Sequence, residues 1–314
     1  MKSLDASNVT EFVILDSGSV IQIKRESTSH TPATKDVRLR LTHRDYEILR
    51  FLLDQKFASL EALYYRFFDH RVSVHAPPPK EYYVARQRLG LLKRAGLILS
   101  ERVYSESKGV YLISQFGLKA LEGKLPDSVY ATPARDVDFR NYEHDKRVNL
   151  VRVVLERQKR VVQWWSERRL RMEGFRAPGI SKELPESLVP DGLFVNPRGE
   201  RIAVEIEASN RKQSRFQEKV NAYRSVMDPY DPKSALIHKV LFVACTPSIQ
   251  KKLGKVVSGR KNEFALEGYP YFLAKLYLPE NGSVLKSASS KDFLSTQPDL
   301  SSQDSQDEKD ESDG

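Results

Sequence analysis

Three carboxylates within a short span could do chemistry in this chain. Pro190-Asp191 is followed, fourteen residues after the aspartate, by Glu205-Ile206-Glu207. Each half sits in an apolar run of strand-like composition, Leu188-Val189 into Leu193-Phe194-Val195 and then Ile202-Ala203-Val204. Strand alternation puts Glu205 and Glu207 on one face. Carboxylates gathered at the ends of two neighbouring strands make a hard, oxygen-rich site that suits Mg²⁺, so Asp191 and Glu205 are the expected metal ligands. A metal held there would polarise a phosphodiester and lower the pKa of an attacking water. Glu207 could act as general base or further ligand. Positive charge would come from Lys219, which shares a helix face with Lys212, and His144 would complete the catalytic set. Each residue also has a purely structural reading. Asp191 could be a turn residue between Pro190 and Gly192, the glutamates the solvent side of an edge strand, and His144 a satisfied histidine on a core face.

A second group of residues could read DNA. From Lys80 to Arg94 there are five basic residues and one acid. Helical spacing turns Ala85, Leu89 and Leu92 inward and leaves Tyr83, Arg86, Gln87, Gly90 and Arg94 on the other side. Arginine and glutamine match guanine and adenine edges in the major groove. Tyr83, Arg86, Gln87, Arg88, Lys93 and Arg94 are therefore the expected DNA-binding residues; the plain alternative is a solvated amphipathic helix. Trp164 and Trp165, with Arg168, Arg169 and Arg171 close behind, form a third cluster, either a phosphate grip or a core tryptophan with a solvated rim.

The elements that must hold these groups follow from periodicity and punctuation. Residues 11–24 read as a hairpin around Asp-Ser-Gly-Ser. Thr42 caps a helix with Ile48, Leu49, Leu52 and Leu53 on one face, and Ser59 caps a second. The third helix ends before Gly96. LILSERVYS and GVYLIS form a two-stranded wing, and a fourth short helix follows. That order is a winged helix-turn-helix. After a linker at 123–140 come a helix at 141–159, strands at 161–165, 189–195 and 201–208, a helix at 211–227, a strand at 238–245, a helix after Thr246 and a strand at 269–278. The order αβββαβ is that of a restriction-endonuclease-like core. The expected class is α+β or α/β. Its parts are 1–38 hairpin and linker, 39–122 winged helix, 141–285 nuclease-like domain, and 286–314 a disordered acidic tail.

Composition narrows the partners. The net charge is +9, but Asp299–Gly314 carries −6, which leaves +15 on residues 1–298 and points to a polyanion such as nucleic acid. The lone Cys245 excludes a disulfide framework and a cysteine-based zinc cluster. No apolar run approaches the roughly 20 residues that span a bilayer. A cytoplasmic protein without a membrane partner is expected. The winged-helix order also carries the expectation of a homodimer.

The spacing of Asp191, Glu205 and Glu207 resembles the PD-(D/E)xK nucleases, except that Glu207 stands where that superfamily usually has lysine. Taken whole, the chain resembles the replication-relaxation family of plasmids and mobile elements, a winged helix followed by a divergent PD-(D/E)xK-like domain. The likeness rests on LTHRDYEILRFL, RQRLGLLKRAGLI, YLISQFGLKAL, EHDKRVNLVRVVL, VPDGLF, VEIEAS and KVNAY in that order, over about Leu39 to Val243. It implies binding of double-stranded DNA in replication or mobilisation, or its regulation, with a replication or mobilisation protein as partner. The Glu207 departure ranks a degenerate site ahead of an active Mg²⁺-dependent endonuclease.

Overall fold

The computed structural model describes residues 10–14, 20–24, 39–69, 82–103, 109–122, 124, 132–174, 183–227 and 235–274, and the fold is a mixture of α-helices and β-sheets. Strands β1 (Thr10–Ile14) and β2 (Val20–Lys24) pair antiparallel, as the hairpin expectation requires, and β1 also pairs in parallel with the short β3 (Leu39–Arg40). The Asp-Ser-Gly-Ser turn and the acidic tail lie outside the described residues.

Thr42 opens α1 (His43–Gln55), and Asp45 reaches back to accept the Thr42 N–H at 2.7 Å. This is one half of a reciprocal helix start. Ile48, Leu49, Leu52 and Leu53 are fully buried. After β4 (Ala58–Ser59), the Ser59 hydroxyl accepts the Ala62 N–H at 3.2 Å and starts α2 (Leu60–Phe67). Helix α3 (Tyr82–Arg94) buries Ala85, Leu89 and Leu92 and stops at Gly96, whose φ of 72° favours glycine. Strands β5 (Ile98–Glu101) and β6 (Val110–Ile113) pair antiparallel, with β4 on the far edge of β6. Helix α4 (Gln115–Glu122) returns to α1. Gly117 permits this close packing, because a Cβ there would sit 2.2 Å from the Leu97 carbonyl oxygen, just before β5, and 3.2 Å from Leu49 on α1.

The rest of the chain builds a five-stranded sheet. Its elements are α5 (Tyr142–Arg157), β7 (Gln163–Ser166), α6 (Glu167–Met172), β8 (Gly192–Val195), β9 (Arg201–Glu207), α7 (Gln213–Val226), β10 (Lys239–Ala244), α8 (Pro247–Val256), β11 (Phe264–Gly268) and α9 (Tyr269–Ala274). The sheet order is β11-β10-β9-β8-β7; the β7–β8 and β8–β9 pairs are antiparallel, while β9–β10 and β10–β11 are parallel. One face carries Ile202, Val204 and Ile206 with Trp164 and Phe194, packed with residues of α5 and Phe272 of α9. The other carries Ala203 with Trp165, Leu193 and Phe242, under Phe216, Val220, Ile249 and Leu253. The first apolar cluster runs unbroken from Leu49 on α1 through Val151 on α5 to Val204 on β9.

One local expectation is corrected, and one short helix is added. The strand expected at 269–278 is instead a helix where it is described, and the last strand is Phe264–Gly268. Pro270 explains the exchange: it lacks the N–H a ladder needs but fits the first turn of a helix. Residues 167–172 form a short helix, α6, because Ser166 accepts the Arg169 N–H at 3.2 Å. Among the described residues, no helix is long and apolar enough to cross a membrane.

Candidate functional site

Strand β9 is the centre of the sheet, so its alternation sends Glu205 and Glu207 under α7 rather than to solvent; they are 6% and 4% exposed. The edge-strand alternative is thereby set aside. A buried carboxylate needs a compensating charge or hydrogen bonds. Lys219 provides the charge, donating from Nζ to Glu205 Oε2 at 2.9 Å and to Glu207 Oε1 at 2.6 Å. Tyr223, one turn later on α7, donates its hydroxyl to Glu205 Oε1. Helical spacing marks Tyr223 as inward, but nothing in the local sequence identifies its hydroxyl as a carboxylate partner.

Asp191 sits where the chain enters β8. Its Oδ2 accepts the Ile206 N–H at 2.7 Å, and its Oδ1 lies 2.9 Å from His144 Nε2 on α5. Gly192 holds this corner tight, since a Cβ there would come within 2.2 Å of the Trp164 ring. The structure thus brings Glu205, Glu207, Lys219 and Tyr223 together on one side of the sheet, with Asp191 and His144 reaching the cluster at the strand end.

The electrostatics follow from burial and from the excess of acid. Burial first, and then the Asp191 charge, push the Glu205 carboxyl up to about 7, against the pull of Lys219 and the Tyr223 hydrogen bond. Burial works against the Lys219 ammonium, but the two glutamates outweigh it and raise its pKa above the usual lysine range. Burial and Glu205 together push the Tyr223 phenol well up. The Asp191 hydrogen bond raises His144, against burial.

Mg²⁺ is the ligand expected of Asp191 and Glu205. All four of their carboxylate oxygens already have protein partners, and Lys219 places positive charge between the two glutamates. Among the described residues, no group of three or more His, Cys, Asp or Glu side chains is arranged to hold a metal ion. As arranged, the Lys219 ammonium is the positive charge that these carboxylates meet.

On α3, Tyr83, Arg86, Gln87, Lys93 and Arg94 are exposed. Gln87 donates to the Tyr83 hydroxyl at 2.6 Å, and Lys93 to Ser100 Oγ on β5 at 2.5 Å. Arg88 departs from the DNA-binding expectation. Its Nε donates to Asp45 Oδ1 at 2.8 Å, and the same guanidinium binds the other Asp45 oxygen and the Arg40 carbonyl. Burial alone would raise the Asp45 carboxyl, but the Arg88 and Thr42 hydrogen bonds hold it below the usual range. Arg88 therefore fastens α3 to the start of α1. Its place beside Leu89 on the flank of the Ala85–Leu92 face is the available signal.

In the Trp–Arg cluster the tryptophans, Arg168 and Arg169 pack inward, whereas Arg171 stays exposed. Both tryptophans are buried. Arg168 donates to the Leu53 carbonyl at 2.9 Å, Arg169 to Glu173 at 2.7 Å and Arg171 to Glu167 at 2.9 Å. A further charge cluster, absent from the sequence expectations, joins α1, α2 and α5. Arg152 binds Asp54 at 3.1 Å and Glu156 at 2.9 Å, Arg66 binds Glu156 at 2.5 Å, and Arg157 binds Asp69 at 3.3 Å. The Arg152 guanidinium lies over Phe51 and Trp164 at 4.8 and 5.5 Å.

A family model described as replication-relaxation matches residues 49–240, more than half of the chain. That span contains α3 and every member of the carboxylate cluster. No curated protein and no solved structure matches.

Proposed function

This chain belongs to the replication-relaxation family, and from that membership we propose that it binds double-stranded DNA in the replication or mobilisation of a plasmid or mobile element, or in its regulation. Helices α1 to α4 with the β5–β6 pair are read as a winged helix-turn-helix. The five-stranded sheet is read as a restriction-endonuclease-like domain whose hydrolytic site has degenerated. A cytoplasmic location, a second protomer and a replication or mobilisation protein belong to the same reading.

One observation carries it. Helix α3 buries Ala85, Leu89 and Leu92 and leaves Tyr83, Arg86, Gln87, Lys93 and Arg94 exposed on a helix fixed from behind by Arg88. A rigid helix with an exposed basic and amide face is suited to the major groove. Fluorescence anisotropy with duplex DNA tests it. Arg86→Ala with Arg94→Ala should weaken binding about tenfold at moderate salt and lower the salt slope by roughly 0.9 for each phosphate no longer neutralised. Unchanged affinity would remove α3 as the reading helix.

The second reading, an active Mg²⁺-dependent endonuclease, is supported by the gathering of Asp191, Glu205, Glu207 and Lys219 in one buried network. Supercoiled plasmid incubated with Mg²⁺ or Mn²⁺ separates the two. The degenerate site leaves it intact, whereas nicking that disappears in Asp191→Asn would replace this reading with hydrolysis.

A further inference from the structure

Six basic side chains lie around the start of α7 and along the neighbouring α8. Arg211, Lys212 and Arg215 lie in the loop after β9 and the first turn of α7, while Lys251, Lys252 and Lys255 lie on α8. The two helices pack against each other beside the parallel strands β9 and β10. Lys252 Nζ fastens the two parts, donating to Asn210 Oδ1 at 2.7 Å and to the Arg211 carbonyl at 3.2 Å. Helix α8 turns Ile249, Leu253 and Val256 inward, which leaves Lys251 and Lys255, four residues apart, on its exposed side. Arg211, Lys212 and Arg215 are exposed as well.

The fold itself makes little use of this charge. Glu218 is the nearby exposed acid, and it pairs with Arg215 at 3.0 Å. Among the described residues, Arg211, Lys212, Lys251 and Lys255 form no ion pair, unlike the interior arginines. Neither α7 nor α8 has an acidic residue in its first turn. A helix start is already the positive end of its dipole and favours anions, so basic side chains beside it act against local stability. Exposed positive charge at the start of α7, continued along the adjoining surface of α8, is an arrangement that receives phosphate.

We propose that this α7–α8 face is a second contact for the DNA phosphate backbone, separate from α3. Lysines present point charges rather than a planar fork, so the contact should hold DNA beside the sheet without reading sequence. Arg211, Lys212 and Arg215 lie within the residues matched by the family model, and α8 lies beyond them. The inference rests on DNA as the partner proposed above, but not on α3 as the reader.

Anisotropy with the full chain and a duplex of several helical turns tests it, between roughly 50 and 200 mM salt. Lys212→Ala with Lys251→Ala and Lys255→Ala should weaken binding about tenfold and lower the salt slope by roughly 0.9 for each phosphate left without its lysine, at a melting temperature no lower than that of the wild type. Lys251→Glu with Lys255→Glu should weaken it further. Affinity and slope equal to wild type in both variants overturn the proposal. If these variants weaken binding while Arg86→Ala with Arg94→Ala does not, the α7–α8 contact stands and the α3 reading fails. The reverse result overturns the α7–α8 contact alone, and a wild type that binds no duplex at any salt overturns both.

Discussion

Two buried charge clusters lie toward opposite faces of the same sheet and are balanced differently. Beside Trp164, three arginines (Arg66, Arg152, Arg157) meet three carboxylates (Asp54, Asp69, Glu156). Burial alone would raise the Glu156 carboxyl, but Arg66 and Arg152 hold it below its ordinary range. Under α7, three carboxylates face one ammonium and one histidine, and Glu205 moves the other way, up to about 7. Burial is similar in the two places; the ratio of charges differs. The matched cluster behaves as a strut between α1, α2 and α5. The acid-rich cluster keeps a demand for positive charge that Lys219 only partly meets.

The largest expected effect breaks the matched cluster. Arg152→Met leaves Asp54 and Glu156 buried without their main partner, which should cost about 3–5 kcal/mol in urea denaturation near neutral pH. A loss below about 1 kcal/mol, typical of a surface pair, would mean that the network is no strut.

Glu205→Gln sharpens the contrast from the other side. The folded Glu205 value of about 7 lies above its ordinary 4.5. Its contribution to stability is therefore complete below about pH 4.5 and is lost as pH rises through 7, a change of about 3 kcal/mol. Between about pH 5 and pH 8 the glutamine variant should gain on the wild type by up to that amount. Parallel stability curves over this window would show that the cluster is not short of positive charge.

The smallest effect belongs to His144. Asp191 raises its pKa above the ordinary 6.5, so the ion pair stabilises the fold below that value and fades as pH rises through the raised folded value. His144→Gln should lower stability by about 1 kcal/mol near pH 6 and by less near pH 9. Equal losses at both pH values would make the contact a neutral hydrogen bond.

Much of the secondary structure was legible. Thr42, Ser59 and Thr246 each start a helix through residues no more than three positions away, and Gly96 ends one by its own backbone conformation. Lys219 was legible as the ammonium for the acidic motif because helical spacing put it on the face of α7 that looks at the sheet. Aromatic composition misled at 269–274, where a single proline outweighs several β-favouring side chains. Arg88 and Arg168 had the charge and spacing of phosphate ligands, but their partners, Asp45 and the Leu53 carbonyl, lie 43 and 115 residues away. Nothing within a helical turn of either arginine announces those partners.

The sequence by itself determined where most of the helices and strands form outside 167–172 and 264–274, which side of each is apolar, and that Glu205 and Glu207 share a face. These follow from 3.6-residue and two-residue periods and from caps that act within one turn. Only the tertiary structure decided that β9 is central rather than an edge, that Lys219 and Tyr223 close over the glutamates, and that His144 meets Asp191 across 47 residues. A buried charge must be compensated by whatever group the packing brings against it, and separation along the chain carries no information about that distance.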